Sequence, residues 1–210
     1  MTLALATIRE IIASALEQEA LTGELAQALQ VRIPELRRQL VLPEQNAVAA
    51  LMSFITSYIR SVPAGLRLVA AVSKRQGFYE YAAPFLQLAQ DYFLQPSVAV
   101  PPASPLESLL DDAFLAHRLL EEVNDHHVRQ LQRALLPVDM TEANIIVHHL
   151  LGDTFATELE VKVQLTANRL LSKEHIWDRV RAASTTGTTA LLSSRRIAGA
   201  EPSVRLRLAS

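Results

Sequence analysis

Histidine and carboxylate side chains, the residues best suited to chemistry, are concentrated in the second half of the chain. Five of the six histidines lie between His117 and His149, and residues 105–160 carry eleven acidic side chains but only three arginines. Neutral imidazole and carboxylate together form a donor set that suits Zn, Mn or Fe. Helical bundles build such sites from side chains on facing helices. The segment therefore predicts, as one alternative, a metal-binding helical bundle.

Helical spacing indicates which of these side chains face one another. At about 100° per residue, the imidazole of His117 lies near the centre of an apolar stripe. A second helix follows after a short turn near residue 138. If the two helices are antiparallel, residues at equal distances from the turn along the chain lie at the same level. This geometry predicts two polar layers, one of His127, His149 and Asp153, and the other of His117, Glu121 and Glu160.

A structural role is the simpler interpretation of the same residues. Buried histidines commonly bond to neighbouring polar groups, and a Glu at the edge of an apolar stripe commonly extends to solvent. The paired Glu-x-x-His motif of di-iron carboxylate proteins is absent, because Asn124 stands three residues after Glu121. Glu122 and His126 are predicted to form a solvent-facing pair. A structural polar cluster is therefore favoured over a metal site.

The only pattern that suggests nucleic-acid binding lies near the N-terminus, at residues 22–40. The segment reads TGELAQALQVRIPELRRQL, with apolar or small residues at the packing positions of a helix-turn-helix. A second helix over Pro34–Leu40 would present Arg32, Arg37 and Arg38 to DNA. The segment resembles TetR-type repressors, although Gln30 replaces their turn glycine. The resemblance implies a DNA-binding transcriptional regulator as a further alternative.

Charge argues against DNA binding by this segment. Residues 1–60 carry five arginines and six glutamates. Non-specific affinity for DNA comes mainly from neutralisation of its phosphates, so a segment without an excess of basic residues is expected to bind DNA weakly. Two short core helices joined by a tight turn are therefore the favoured interpretation.

Proline, glycine and capping residues divide the chain into the elements that must position these side chains. Residues 1–94 predict an N-terminal helical layer, and QPSVAVPPASP at residues 95–105 predicts a Pro-rich linker. A capping Ser104 and a second box at Asp139 open the two helices of a long antiparallel hairpin within residues 106–180, the first helix ending at about Leu136. Residues 181–210 carry five arginines and one glutamate and predict a basic, flexible tail.

The fold class that follows is mainly α, a two-layer helical bundle. One segment is ambiguous, because apolar residues alternate with polar ones from Leu159 to Leu165 as they do in strands. The chain offers no second convincing strand to pair with it. A continuing helix, buried on several sides, is favoured, with a short β segment at residues 155–165 as the alternative.

Composition excludes several classes of function. The chain has no cysteine, so it lacks disulfides, thiol catalysis and Cys-ligated zinc. It contains no dinucleotide, Walker or G-x-S-x-G motif, which points away from an enzyme. The uncharged stretch Ala47–Ile59 has 13 residues, whereas a membrane span needs about 20. We therefore expect a soluble, cytoplasmic protein-interaction or regulatory protein without catalysis of its own, which binds a protein partner or itself and no membrane.

Overall fold

Helices make up most of the chain, as the fold class predicts. The computed structural model describes residues 4–95, 104–170, 175–186 and 206–208. Its helices are α1 (Leu5–Thr22), α2 (Glu24–Leu36), α3 (Ala47–Gln76), α4 (Tyr79–Leu94), α5 (Pro105–Leu131), α6 (Thr141–Leu151), α7 (Asp153–Leu170) and α8 (His175–Thr186), and two short strands are β1 (Leu40–Val41) and β2 (Arg207–Leu208). The mainly α prediction is therefore confirmed.

Helix α5 is the centre of the packing. It contacts α1, α3 and α4 from the first half of the chain and α6, α7 and α8 from the second. Every residue from Asp112 to His117 is buried, so this part of α5 is covered on all sides. A helix that is buried all round is a core helix. The two halves of the chain therefore share one core along α5.

The local signals at the start of α5 are confirmed. Ser104 is the N-cap residue, and its Oγ accepts a hydrogen bond of 3.1 Å from the backbone N–H of Glu107. Pro105 occupies the first helical position, where its missing N–H costs nothing. At the second box, Asp139 Oδ1 accepts a hydrogen bond of 2.9 Å from the N–H of Thr141, where α6 begins.

The hairpin differs from the predicted one in both arms. The first arm ends at Leu131, five residues before the predicted end, because Gln132 adopts a left-handed conformation with φ 54°. Asn124 Oδ1 accepts hydrogen bonds from the N–H groups of Leu135 and Leu136, which hold the connection against α5. The second arm is broken at Gly152, so that α6 and α7 pack against each other. Residues 155–165 lie in α7, and the alternative of a β segment there is wrong.

The N-terminal pair also differs from a helix-turn-helix. Helix α2 runs through Pro34 to Leu36, so the predicted separate helix over Pro34–Leu40 does not form. Pro34 lacks the N–H that would bond to the carbonyl of Gln30, and the helix continues for only two residues beyond it. Residues 37–39 form a turn that leads into β1.

The C-terminal residues return to the first half of the chain. Strand β2 pairs antiparallel with β1, with Leu208 opposite Leu40 and Arg207 opposite Val41. The side chain of Leu206 is buried, and β2 contacts α6. Residues 181–186 belong to α8. Of the predicted basic tail, residues 181–186 thus belong to a helix and residues 207–208 to a strand, while residues 187–205 and 209–210, and 96–103 of the predicted linker, lie outside the described residues.

Within the described ranges, α3 is the one helix that is long and apolar enough to cross a membrane by length and composition. Core helices pass the same test. Twelve of the thirty residues of α3 are buried in the fold, among them Leu51, Ile59 and Leu66.

Candidate functional site

A polar network joins α3, α5 and α6 around Glu121. Asn144 Nδ2 donates a hydrogen bond of 2.9 Å to Glu121 Oε2, and Tyr58 donates one of 2.7 Å to Asn144 Oδ1. Thr141 Oγ1 lies 3.3 Å from Glu121 Oε1, and the guanidinium of Arg118 pairs with the same carboxylate. The negative charge of Glu121 is therefore compensated inside the protein by a cation and two neutral donors.

The network continues from Arg118 into α7 and the end of α6. Arg118 Nε lies 3.8 Å from Glu160 Oε1, and His148 Nδ1 lies 3.7 Å from the same oxygen. His148 Nε2 is 3.4 Å and His149 Nδ1 is 3.9 Å from Asp153 Oδ1. A cavity of about 170 Å³ opens at this place and is lined by Arg118, Thr141, Asn144, Ile145, His148 and Glu160.

Burial keeps Tyr58 protonated, so that it acts as a donor in this network. It raises the pKa of the Tyr58 hydroxyl well above its ordinary value, and the nearby carboxylate of Glu121 raises it further. The hydroxyl therefore keeps its proton and donates a hydrogen bond to Asn144 Oδ1 throughout the physiological pH range.

His117 lies on the other side of Tyr58, in a structural position. Its Nε2 is 3.1 Å from the carbonyl oxygen of Tyr58 and 3.0 Å from Ser61 Oγ. The centres of the His117 and Tyr58 rings are 4.4 Å apart. Burial lowers the pKa of His117 to about 4, against the opposite effect of the bond to the Tyr58 carbonyl. Since a carbonyl oxygen only accepts, we assign the proton of the neutral ring to Nε2.

His127 belongs to an aromatic cluster where α8 covers α5, formed by Phe78, Tyr81, His126, His127 and Trp177. His127 Nδ1 lies 2.7 Å from the carbonyl oxygen of Arg133, and Nε2 lies 2.9 Å from Gln76 Oε1. Burial lowers the pKa of His127. His126, predicted to face solvent, is buried with its ring 4.6 Å from that of Tyr81.

Neither of the two predicted polar layers is assembled. His127 lies in the aromatic cluster under α8, whereas His149 and Asp153 lie at the corner between α6 and α7. Glu121 and Glu160 share Arg118, and no hydrogen bond or ion pair among the described residues joins either to His117. The predicted levels are wrong because nine residues, not a short turn, separate the end of α5 at Leu131 from the start of α6 at Thr141, and because Gly152 ends α6 before Asp153 and Glu160. The part of the chain that the structure describes holds no group of three His, Asp or Glu residues suited to a metal.

Two of the three arginines predicted to contact DNA bind backbone carbonyls of this chain. Arg32 donates from Nη1 to the carbonyl of Leu150 at 2.6 Å and from Nη2 to that of His149 at 3.3 Å. Arg37 Nη2 lies 2.8 Å from the carbonyl oxygen of Pro43, while Arg38 is exposed. Arg32 thereby caps the C-terminal end of α6, where a cation is favourable. DNA binding itself stays a prediction.

Helix α7 has apolar residues on two opposite faces. Leu159 and Val163 are buried in the core, whereas Phe155, Val161 and Leu165 have relative exposures of 39%, 52% and 55%. At about 100° per residue, Val161 and Leu165 lie across the helix from the buried pair. This two-sided arrangement explains the strand-like alternation of the sequence, because alternate residues fall on opposite sides of one helix.

Sequence reasoning missed Arg118, Asn144 and His148 as members of the network. Arg118 had a detectable signal, since residues 105–160 contain only three arginines beside eleven acidic residues. The choice of His148 over His149 as the neighbour of Glu160 had none, because it depends on how α6 packs against α5 and α7.

Comparison of the chain with protein-family models, curated proteins and solved structures finds no significant match. The resemblance of residues 22–40 to TetR-type repressors therefore gains no support from these comparisons.

Proposed function

We propose that the protein is a helical interaction module that acts without catalysis of its own and self-associates through the outer face of α7. This outer face consists of Phe155, Glu158, Val161, Lys162 and Leu165, all of them exposed. The observation that carries the proposal is the apolar character of both sides of α7, of which one side is already buried in the core. A helix with two apolar faces has a second face to cover.

Hydrophobic burial supplies the driving force for this association. Single exposed apolar side chains are normal on protein surfaces, but here Val161 and Leu165 lie together on one side of a helix, with Phe155 at the edge of that side. Full burial of a side chain of this size contributes about 1.5–3 kcal/mol. Association also costs at least about 4 kcal/mol in lost freedom. We therefore expect a weak dimer whose population depends on protein concentration.

The spacing of the charged residues favours a second copy in an antiparallel orientation. If two copies of α7 cross at the level of residue 160, Glu158 of each copy lies opposite Lys162 of the other. The same crossing sets Phe155 opposite Leu165. A parallel arrangement would place Glu158 against Glu158, which is repulsive. The outer face is thus self-complementary, as a two-fold interface requires.

Sedimentation velocity over a wide range of protein concentration tests the proposal. We expect the wild-type chain to shift from monomer to dimer as concentration rises, and the variant Val161→Glu to remain monomeric because it places a charge in the apolar contact. A wild-type chain that stays monomeric at every concentration would overturn self-association.

A charge-swap experiment tests the orientation. Glu158→Lys and Lys162→Glu should each weaken the dimer, because each opposes like charges across it. Mixing the two variants restores both ion pairs and should restore a heterodimer. Glu142→Lys, an exposed change on α6, is the matched control and should dimerise as the wild type does. A mixture that stays monomeric beside a dimeric wild type would exclude the antiparallel contact.

A further inference from the structure

A groove of about 780 Å³ lies between α1 and the place where α4 ends and α5 begins. Its floor is apolar and includes Ile11, Phe93 and Leu109, and the carboxylates of Glu10 and Glu24 stand at its rim. No Lys, Arg or His is among the residues described as lining it. The groove therefore combines an apolar surface with uncompensated negative charge.

The carboxyl group of Asp112 lies in this groove without a partner. Asp112 is 5% exposed, and no hydrogen bond or ion pair to it is found within the described residues. Glu19, the other acidic residue in the buried class, provides a contrast, because its oxygens accept 3.0 Å hydrogen bonds from the backbone N–H groups of Leu25 and Ala26. Ionising a carboxyl group that is mostly buried is costly, so a cation that reaches Asp112 from the groove would stabilise its charge.

The pKa values of Asp112 and of the groups around it also favour the binding of a cation. Burial raises the pKa of Asp112 to about 7. Burial and the charges of Asp112 and Glu107 raise the pKa of the neighbouring Asp111 to about 7 as well. Tyr92 is a further titratable group nearby, and burial and the charge of Asp112 raise its pKa. A positive charge placed at Asp112 would stabilise both aspartates in their ionised form.

We propose that the groove binds an organic cation, an amine whose ammonium group pairs with Asp112 and whose apolar body lies on the floor. The volume falls within the range of about 300–1,000 Å³ that is usual for small-molecule sites. The apolar floor favours an organic body over a bare metal ion, which takes several oxygen ligands. This site is separate from the outer face of α7, so it is independent of self-association.

Calorimetric titration of the 210-residue chain with matched pairs of probes tests this site. The amines are phenethylamine and hexylamine, and the neutral controls are phenethyl alcohol and hexanol. At a pH one unit above the pKa of about 7, Asp112 is ionised and an alkylamine is still protonated. We expect at least one amine to bind at least about tenfold more tightly than its alcohol. Failure of both amines to bind, or equal affinity for amine and alcohol, would overturn the proposal.

Asp112→Asn separates charge recognition from the shape of the groove. The substitution keeps the size of the side chain and removes its charge, so amine affinity should fall at least about tenfold while alcohol binding is unchanged. The variant should melt no lower than the wild type at this pH, because it removes an unpaired buried charge. Asp125→Asn, an exposed change on the same helix, is the matched control. Unchanged amine binding by a folded Asp112→Asn would assign the cation to another site.

Discussion

At the scale of single residues, burial sets the charge of His117. Its pKa falls from 6.5 to about 4 in the folded protein, so the folded state resists protonation. Between these two values the unfolded chain binds more protons than the folded one. The contribution of His117 to stability is therefore fully present above pH 6.5 and is lost as the pH falls toward 4.

We expect His117→Gln to reduce the acid sensitivity of folding. An amide can still donate to the Tyr58 carbonyl, but it does not titrate. Between pH 7 and pH 5, the unfolding free energy of the wild type should fall by about 2 kcal/mol more than that of the variant. Urea denaturation at both pH values measures this difference.

Asp111 and Asp112 act in the opposite direction over the same pH range, since their pKa values are raised. Their stability contribution is lost as the pH rises toward 7. Both aspartates are present in the wild type and in His117→Gln, so their effects cancel when the two proteins are compared. Equal losses of stability in the wild type and in His117→Gln would show that His117 is not buried in its neutral form.

Helical spacing predicted some of these residues and not others. It placed His117 near the centre of the apolar stripe of α5, and the residue is buried. It assigned His126 to solvent, which was wrong because Trp177 of α8 packs against that imidazole at 5.1 Å between ring centres. The pattern of one helix gives its most apolar side but does not reveal that other helices cover the remaining sides. The burial of Asp112 was missed for the same reason.

At the scale of elements, helix starts were more predictable than helix ends. The cap at Ser104 depends on residues within one turn, so the sequence contains it in full. The end of α5 depends on Asn124, which binds the N–H groups of Leu135 and Leu136 eleven and twelve residues away. Such a contact leaves no periodic signal. The hairpin was therefore found, but its register and the site built on that register were wrong.

The C-terminal end of α6 depends on Arg32 of α2. Its two hydrogen bonds to the carbonyls of His149 and Leu150 satisfy groups that the helix leaves free. We expect Arg32→Met, which keeps the length of the side chain, to lower the unfolding free energy by about 1–2 kcal/mol. Thermal and urea unfolding of the variant measure the loss.

Arg38→Met is the control for this change, because Arg38 is exposed and has no side-chain bond among the described residues. It should unfold as the wild type does. Equal stability of both variants would show that Arg32 does not hold α6. Loss of DNA affinity in Arg38→Met would instead support the regulator that residues 22–40 suggest.

At the scale of the whole molecule, contacts distant in sequence join the two halves of the chain. Arg32 links α2 to α6, and β2 links the C-terminal residues to β1 and α6. Each strand has two residues, too few for a recognisable strand pattern. The mainly α fold could be predicted because its periodicity extends over long helices, whereas these links could not.

Leu206, next to β2, is buried and holds the C-terminal residues against the rest of the fold. We expect Leu206→Asp to lower the unfolding free energy by about 2–3 kcal/mol, because it removes a buried apolar side chain and introduces a charge. Amide hydrogen exchange at Leu40 and Val41 should become faster, since β1 loses its partner strand. Arg207→Gln, an exposed change in the same strand, should leave both measurements unchanged. The loss in Leu206→Asp should persist in high salt because the contact is apolar, and a loss that disappears in salt would instead indicate attachment by charge.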